Sequence, residues 1–261
     1  ENAFLQKYLD NGSGKILPGA ALVGAGCGSY ELITLKGLSE IRRAEVIVYD
    51  DLIDEHLLEF AQESCELIYA GKRSGRHSKA QEEINELLVA KALEGKYIVR
   101  LKGGDPYVFG RGGEEALALK AHGIPVHEVP GVTSSIGLCG IAGIPVTHRG
   151  ASRGFHVITG HTADNLPPEI EEIRWKSYAK LDETFVFLMG LKSIDMITEK
   201  LMRYGKLSDT PVAVIHGENT DGTYVKFVGT LSDIAAKVKE VDFPSPAIIV
   251  VGEVASLELT D

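Results

Sequence analysis

The sequence has few of the residues that disulfide frameworks and metal centres require. It contains three cysteines, Cys27, Cys65 and Cys139, and their spacings match neither a disulfide scaffold nor a zinc motif. The eight histidines include no pair four residues apart, the spacing that places two ligands on one helix face. We therefore expect no metal centre and no disulfide framework, and a reducing cytoplasm as the compartment.

Long apolar runs and a surplus of positive charge are also missing. The nearest approach to a membrane span, residues 134–146, is short and rich in glycine, whereas a spanning helix needs about 20 apolar residues. The formal net charge is −10, which disfavours attraction to a polyanion. We expect neither a membrane nor a nucleic acid as partner, and a small molecule instead.

Glycine, in contrast, is abundant, with 29 residues that cluster at the ends of predicted strands. Short β-branched runs alternate with helical patterns along the chain, which predicts an α/β fold. A segment punctuated by glycine and proline, residues 145–154, reads as a linker. We predict a leader over residues 1–18 and two α/β domains, 19–147 and 148–261, with a ligand cleft between them. The second domain should contain antiparallel strands, because residues 223–229 alternate in polarity.

The chain is organised around residues 101–115, Leu-Lys-Gly-Gly-Asp-Pro-Tyr-Val-Phe-Gly-Arg-Gly-Gly-Glu-Glu, which we call the central loop. It follows a predicted strand, and Gly103 and Gly104 remove side chains where a ligand could approach the backbone. Glu114 and Glu115 suit the start of a helix. The alternative is that these residues form only a tight strand-to-helix turn and bind no ligand. The density of glycine together with Asp105 favours a ligand site at the carboxyl end of the strand.

Two further loops are candidates for ligand binding. Residues 71–78 place Lys72, Arg73, Arg76 and His77 together in an acidic protein, which favours an anion site over a solvated turn. Gly24, Gly26 and Gly28 resemble a dinucleotide fingerprint, but Ser29 stands where Gly-x-Gly-x-x-Gly needs its third glycine. A Rossmann oxidoreductase is therefore an alternative that the motif does not favour.

Several motifs together resemble the tetrapyrrole methylase family, and the resemblance extends from about Gly19 to Leu257. The central loop is the most specific of them. The others are Val23-Gly-Ala-Gly, Leu35-Lys-Gly-Leu, Val48-Tyr-Asp, Gly71-Lys-Arg-x-Gly-x-His, Gln81-Glu-Glu-Ile-Asn, Pro130-Gly-Val-Thr-Ser, Gly143-Ile-Pro-Val-Thr-His-Arg and Ser245-Pro-Ala.

The resemblance implies two α/β domains, a homodimer, and S-adenosylmethionine held between the domains, with S-adenosylhomocysteine as product. It also implies two successive methyl transfers to uroporphyrinogen III, giving precorrin-2 for sirohaem or cobalamin synthesis. Three alternatives stay open: a methylase of a later precorrin, a Rossmann NAD-dependent oxidoreductase, and a tetrapyrrole-binding module without catalysis. Neither the motifs nor this chemistry calls for a metal.

Carried over position by position, the resemblance also implies the binding residues. The cofactor would contact Cys27, Gly103, Gly104, Asp105, Val108, Thr133, Ser134, Met189, Ala213 and Ala247. The substrate carries several carboxylates, so a net acidic protein must supply local cations to bind it. The available set is Lys72, Arg73, Arg76, His77, Arg111, His148, Arg149 and Arg153.

The sequence departs from the family pattern at two positions that the resemblance associates with proton handling. The family loop Gly-Pro-Gly-Asp-Pro is here Gly26-Cys-Gly-Ser-Tyr, and the basic residue after Tyr-Asp is here Asp51. Ser29 cannot act as a carboxylate base at neutral pH. We predict retained activity at a reduced rate, with Asp51 as the compensating group and Asp50 or a water as alternatives.

Overall fold

The computed structural model describes residues 18–71, 81–160, 167–217, 223–257 and 259. Described residues up to Thr133 form one compact unit, and those from Ser134 onward form a second. Each unit contains a five-stranded sheet with helices, so the predicted α/β class is confirmed. The predicted domain boundary after residue 147 stays a prediction, and residues 1–17 of the predicted leader lie outside the described residues.

The sheet of the first unit is entirely parallel. Its strands run in the spatial order β3-β2-β4-β1-β5. Parallel strands require crossover connections that place helices on the faces of the sheet. The elements are β1 (Gly19–Gly24), α1 (Leu35–Arg43), β2 (Val46–Tyr49), β3 (Glu66–Tyr69), α2 (Gln81–Leu93), β4 (Tyr97–Lys102), α3 (Gly112–Ala121) and β5 (Val126–Val129), with 3-10 turns at Tyr30–Leu32 and Glu55–Phe60.

This strand order separates the first unit from a dinucleotide-binding domain. The usual order of that fold places the first two strands side by side, whereas here β4 lies between β2 and β1. The carboxyl ends of β1, β2, β4 and β5 nevertheless share one edge, as in any parallel sheet. We call this edge, with the loops that follow these strands and β3, the carboxyl edge.

The sheet of the second unit is mixed, in the order β6-β7-β10-β8-β9. β6 and β7 are parallel, and the other neighbours are antiparallel. β9 pairs with β8 over its full length, which confirms the predicted antiparallel strand. The elements are α4 (Ser134–Ile141), β6 (Phe155–Thr159), α5 (Pro168–Lys180), β7 (Thr184–Leu188), α6 (Ile194–Arg203), β8 (Pro211–Gly217), β9 (Tyr224–Thr230), α7 (Ile234–Glu240) and β10 (Ile248–Val251), with 3-10 turns at Leu191–Ser193 and Glu253–Ser256.

The second unit is stabilised by an aromatic core. Phe185 and Phe187 of β7 are completely buried, and the Phe187 ring stacks on that of Trp175 from α5 with centroids 6.2 Å apart. Burying an aromatic side chain of this size contributes about 1.5–3 kcal/mol. The first unit also has an apolar core around Leu22, Val46 and Val48, but its interior contains charged side chains as well.

Two observations concern the membrane span and the metal centre that the sequence does not predict, and both apply only to the described residues. No helix there combines the length and apolar character that a membrane span requires. No group of histidine, cysteine, aspartate and glutamate side chains there is arranged to hold a metal ion.

Candidate functional site

The glycine-rich loop after β1 is hydrogen-bonded to the central loop after β4. The Gly26 amide donates to the Gly104 carbonyl at 3.2 Å, and the Gly104 amide donates to the Gly26 carbonyl at 2.6 Å. The Ala25 amide adds a bond to the Lys102 carbonyl at 2.8 Å. These bonds continue the contact between β1 and β4 beyond the strands, although the Gly26–Gly104 bridge is antiparallel and the strands themselves are parallel. They place the segment of Cys27 and Gly28 beside the central loop.

Several glycines of this edge are required by packing within the chain. A Cβ on Gly131 would lie 2.1 Å from the Gly104 carbonyl oxygen, and one on Gly24 would lie 2.5 Å from the Gly131 Cα. A Cβ on Gly103 would lie 2.5 Å from the Leu52 Cβ. The missing side chains therefore let three loops pack together, which is a different reason from the ligand approach that the sequence suggested. Gly28 differs, because its φ is +84° and a Cβ there would face open space.

Asp105 ties the central loop to the segment after β5. Its Oδ1 accepts a hydrogen bond from the Tyr107 amide at 2.9 Å, and its Oδ2 accepts one from the Gly131 amide at 3.1 Å. Each carboxylate oxygen has a second lone pair, so these bonds leave acceptor capacity for a ligand. Asp105 therefore shapes the loop and also contributes negative charge to it. Val108, in the same loop, is half-buried.

The rest of the central loop has a constrained backbone. Phe109 and Arg111 have φ values of +54° and +58°, a left-handed conformation that side chains other than glycine adopt at a cost of about 1–3 kcal/mol. Phe109 and Tyr107 are also exposed, at 44% and 55% of their surface. Strained residues of this kind persist where the surrounding structure holds them, and they cluster at binding sites.

Beneath the central loop lies a buried ionic network that the sequence analysis did not predict. Arg100 Nε and Lys102 Nζ both donate to Glu115 Oε1 at 3.1 Å, and the Arg100 guanidinium donates to Asp50 Oδ2 at 2.8 Å. Arg100, Lys102 and Glu115 are all buried. Burial and the Arg100 charge hold the pKa of Lys102 below its ordinary value. The other oxygen of Glu115 is buried and has no hydrogen-bond partner among the described residues.

A sequence signal for this network exists. Arg100 and Lys102 are two residues apart in a β-branched strand, so their side chains share one face of the sheet. Two cations on a buried face require a buried anion, because isolated charges are costly to desolvate. Glu115 supplies this buried anion, in addition to favouring the start of the helix.

The two positions that depart from the family pattern have different surroundings. Ser29 is buried, and its Oγ accepts a hydrogen bond from the Glu31 amide at 3.1 Å, which caps the turn Tyr30–Leu32. Asp51 is exposed and accepts a hydrogen bond from the Tyr69 hydroxyl. Of the two, only Asp51 presents a carboxylate at the carboxyl edge.

Arg111, from the predicted substrate-binding set, is engaged in an ion pair. Its Nε and terminal nitrogen donate to the two oxygens of Glu114 at 2.7 and 2.6 Å. The hydrogen bond with Glu114 raises the pKa of Arg111, and the same bond lowers the pKa of Glu114. A substrate carboxylate would have to compete with Glu114 for this guanidinium.

The other predicted cations fall into two groups. His148, Arg149 and Arg153 are exposed together on one turn of the second unit, which is closed by a hydrogen bond from the His148 amide to the Ser152 carbonyl at 3.1 Å. Within the described part of the chain, none of these three side chains has an ion-pair partner. Lys72, Arg73, Arg76 and His77 lie outside the described residues.

The remaining predicted cofactor contacts have varied exposure. Thr133 and Ser134 are half-buried, with Ser134 at the first position of α4. Met189 follows β7 with a φ of +56° and is 55% exposed. Ala213 within β8 is completely buried, and Ala247, just before β10, is nearly so. The roles of these residues stay predictions.

Comparisons with known proteins place the chain in a family. The family model described as "Tetrapyrrole (Corrin/Porphyrin) Methylases" matches residues 21–235. A uroporphyrinogen-III C-methyltransferase of Methanocaldococcus jannaschii is 49% identical over 247 residues, 94% of this chain and 98% of that protein. An S-adenosyl-L-methionine-dependent uroporphyrinogen III methyltransferase of Methanosarcina barkeri is 49% identical over 237 residues, 90% of this chain and 91% of that protein.

A solved structure agrees with these relatives. Uroporphyrin-III C-methyl transferase from Thermus thermophilus, complexed with S-adenyl homocysteine, is 38% identical to this chain. It superposes with a TM-score of 0.75, over 90% of this chain and 98% of that one. With a family model matching most of its length and relatives close to half identical, the chain belongs to the tetrapyrrole methylase family.

Proposed function

We propose that this protein is an S-adenosylmethionine-dependent C-methyltransferase that converts uroporphyrinogen III to precorrin-2 by two methyl transfers. The observation that carries the proposal is the identity of 49% to proteins of that activity, extending over at least 90% of this chain and of theirs. The solved relative that binds S-adenyl homocysteine supports the same cofactor. The strand order of the first sheet disfavours the Rossmann alternative.

The carboxyl edge of the first unit suits this cofactor by charge. The sulfonium and the ammonium of S-adenosylmethionine are both cationic, and Asp50, Asp51, Asp105 and Glu128 supply carboxylates at the edge. Burial and, to a smaller extent, the neighbouring Asp105 raise the pKa of Glu128. The open space in front of Gly28 lets a ligand approach the backbone.

The proposed binding residues are those that the family resemblance implies. Cys27, Gly103, Gly104, Asp105, Val108 and Thr133 would hold the cofactor in the first unit. Ser134, Met189, Ala213 and Ala247 are the second-unit residues proposed from the family resemblance.

The cofactor, when bound, supplies an electrophilic methyl group. The chain contributes orientation, because the Gly26–Gly104 bridge and the two amide bonds of Asp105 fix the loops before any ligand arrives. Holding two reactants in a reactive geometry can lower a barrier by about 7–11 kcal/mol. We propose that His148, Arg149 and Arg153 contact substrate carboxylates, with Lys72, Arg73, Arg76 and His77. Arg111 would join them only by leaving Glu114.

Ligand specificity tests the proposal against its alternatives. Calorimetry should detect binding of S-adenosylhomocysteine and no binding of NAD. Incubation with S-adenosylmethionine should methylate uroporphyrinogen III but not a later precorrin. Binding of NAD alone would support an oxidoreductase, and binding of a tetrapyrrole without formation of S-adenosylhomocysteine would support a module without catalysis.

We further propose a cytoplasmic homodimer. The resemblance supports the dimer, and the sparse cysteines support a reducing compartment. Sedimentation velocity should give about twice the chain mass of 28.2 kDa. A species of the single-chain mass at micromolar concentration would contradict the dimer without affecting the proposed reaction.

A further inference from the structure

We propose that Ser152 is the positioning residue for cations of the second unit that bind the substrate carboxylates. It lies within residues 148–153, which we call the cationic turn because they expose His148, Arg149 and Arg153. The inference rests on the proposed function and deepens it, since it names the residue that fixes these side chains before the substrate binds. The hydrogen bonds that tether the turn to the start of β7 carry the proposal.

The backbone of the cationic turn is closed by hydrogen bonds. The Ala151 and Ser152 amides donate to the His148 carbonyl at 3.0 and 2.9 Å, and the His148 amide donates to the Ser152 carbonyl at 3.1 Å. Gly150 has a φ of +90°, which glycine adopts without strain. His148 and Ser152 form an isolated antiparallel bridge, so Ser152 lies at the base of the turn and Arg149 at its tip.

The Ser152 side chain joins this base to β7. Ser152 is only 6% exposed, and its hydroxyl donates to the Gly154 carbonyl at 2.7 Å. The same oxygen accepts a hydrogen bond from the amide of Thr184, the first residue of β7, at 2.9 Å. A Cβ on Gly154 would lie 2.8 Å from Glu183 Oε1, so the segment that enters β6 packs closely on the residue before β7. One hydroxyl therefore fixes the turn to both strands.

The pairing of the strands themselves does not depend on this hydroxyl. The Thr184 amide also donates to the Gly154 carbonyl at 3.1 Å, and β6 pairs with β7 over its whole length. Both contacts are made by backbone groups alone. Loss of the Ser152 hydroxyl should therefore release the turn and leave the sheet intact.

Nearby carboxylates explain why the cations need a tether. Ala151 lines a recess of the second unit together with Asp182, Glu183 and Glu253, and carboxylates attract a guanidinium that comes close to them. The Glu183 carboxylate pairs with His156 of β6. Across the residues that the structure describes, the cations of the turn have no ion-pair partner. A turn that is fixed at its base keeps them available to the substrate.

A fixed turn also lowers the cost of binding. Immobilising one side chain with many rotamers weakens binding by about 2- to 10-fold, and a mobile backbone adds to that cost. The substrate carries several carboxylates, so several cations must be in place at the same time. A turn that is already ordered therefore binds the substrate more tightly than a mobile one.

The test compares Ser152→Ala with wild type in steady-state kinetics with uroporphyrinogen III. The Michaelis constant for the tetrapyrrole should rise about 3- to 10-fold, from the added ordering cost. The value of kcat should change by less than about twofold, because the hydroxyl acts on substrate binding alone. Affinity for S-adenosylhomocysteine by calorimetry should stay at the wild-type value. The thermal midpoint should fall by no more than about 4 °C, since the backbone contacts of Thr184 remain.

A second comparison asks whether Ser152 acts through the cations. In the background Arg149→Ala/Arg153→Ala, adding Ser152→Ala should raise the Michaelis constant by less than about twofold, because most of what the tether positions is already gone. Ser256→Ala is the matched control, since it removes a hydroxyl that donates to the Glu253 carbonyl at 2.8 Å, and it should match wild type throughout. Ser152→Cys keeps the side-chain volume with only a weak donor. It should fold and raise the Michaelis constant even if Ser152→Ala does not fold.

The outcomes separate this inference from the proposed function. A wild-type protein that does not methylate uroporphyrinogen III overturns the proposed function. Binding of uroporphyrin III, the oxidised macrocycle with the same carboxylates, then decides the role of Ser152 by fluorescence titration. Equal affinity or an equal Michaelis constant in wild type and the Ser152 variants overturns that role. It is also overturned if kcat and S-adenosylhomocysteine affinity fall at an unchanged Michaelis constant, or if the full increase persists in the Arg149→Ala/Arg153→Ala background.

Discussion

The two sheets of this protein have the same number of strands but very different interiors. The second sheet packs Phe185 and Phe187 against Trp175, and no lysine, arginine, aspartate or glutamate is buried among the described residues of that unit. The first sheet buries Arg100 and Lys102 on one face of its central strand, against Glu115 of α3. The apolar interior lies between β7 and α5. The ionic interior lies directly beneath the central loop.

This difference indicates that the two interiors serve different purposes. An aromatic core stabilises a fold through burial. In a buried ion network the attraction between the charges often does not exceed the cost of desolvating them, so such a network is weak evidence for stability. We infer that the network in the first unit fixes the position of β4 relative to α3 and to Asp50, and thereby the shape of the loop between β4 and α3.

The largest effect on stability is expected from the aromatic core. Phe187→Ala should lower the free energy of unfolding by about 3–5 kcal/mol, because it leaves a cavity beside Trp175 and Phe185. Denaturant titration followed by tryptophan fluorescence measures this directly, since the chain has one tryptophan. A loss below about 1 kcal/mol would mean that the core repacks around the cavity.

A comparable loss is expected in the first unit from Glu115→Gln. Removing the charge leaves Arg100 and Lys102 buried without their shared carboxylate, which costs about 3 kcal/mol or more. The matched variant Arg100→Met/Lys102→Met/Glu115→Leu should recover most of this stability and yet bind S-adenosylhomocysteine more weakly than wild type. If the triple variant kept wild-type affinity, the network would have no part in shaping the loop.

Asp105→Ala should affect binding more than folding. The substitution removes a charge at the proposed cofactor site and the two amide bonds that hold the central loop, so affinity for S-adenosylmethionine should fall by about 1.5–3 kcal/mol. Asp105→Asn keeps an acceptor for one amide and should lose less. Unchanged affinity in a folded Asp105→Ala protein would contradict the assignment of this loop to the cofactor.

Arg149→Ala sharpens the distinction between cofactor and substrate residues. The side chain is exposed on the turn with His148 and Arg153. Its removal should raise the Michaelis constant for the tetrapyrrole about tenfold, because one charge-assisted hydrogen bond to the substrate is lost. Affinity for S-adenosylhomocysteine should stay at the wild-type value. Arg76→Ala should behave in the same way. Loss of cofactor affinity with normal substrate affinity would reverse the assignment.

The smallest effect concerns a second charged cluster of the first unit, at the opposite edge of the sheet. Glu40 of α1 accepts hydrogen bonds from the Tyr97 hydroxyl at 2.6 Å and from His127 at 3.4 Å. Burial alone would raise the pKa of Glu40, but these hydrogen bonds and the charges of His127 and Arg43 lower it below 4.5. The stabilisation is therefore present above about pH 4.5 and lost as the pH falls through the lower, folded-state value.

Tyr97→Phe tests this cluster. It should cost about 1 kcal/mol of unfolding free energy at neutral pH. The difference from wild type should shrink as Glu40 becomes protonated. A difference that is constant between pH 7 and pH 3 would show that Tyr97 contributes by packing alone.

The sequence predicted the architecture well because periodicity reports burial directly. Strands such as Tyr97–Lys102 and the alternating Tyr224–Thr230 lie where their patterns indicate. Glycine was harder to interpret. The sequence shows that Gly103 and Gly131 lack side chains, but not whether the space is taken by a ligand or by Leu52 and Gly104 of the same chain.

Charged partners were the least predictable part of the site. Glu115 with Arg100 and Asp51 with Tyr69 are pairs 15 and 18 residues apart, brought together by strand order and by helix placement. A pattern reveals which face a side chain occupies, but the partner on that face depends on which strands are neighbours. Here β4 lies between β1 and β2, an arrangement that the sequence does not encode locally.

The most direct test of the account is the stoichiometry of methyl transfer. Purified protein is incubated anaerobically with uroporphyrinogen III and S-adenosylmethionine labelled in its methyl group, and product and S-adenosylhomocysteine are quantified together. We predict two labelled methyl groups on carbon per tetrapyrrole, with a monomethylated species appearing first and two equivalents of S-adenosylhomocysteine at completion. Label that stays on the cofactor, or a tetrapyrrole recovered unmethylated from a folded protein that binds S-adenosylhomocysteine, would contradict the proposed function.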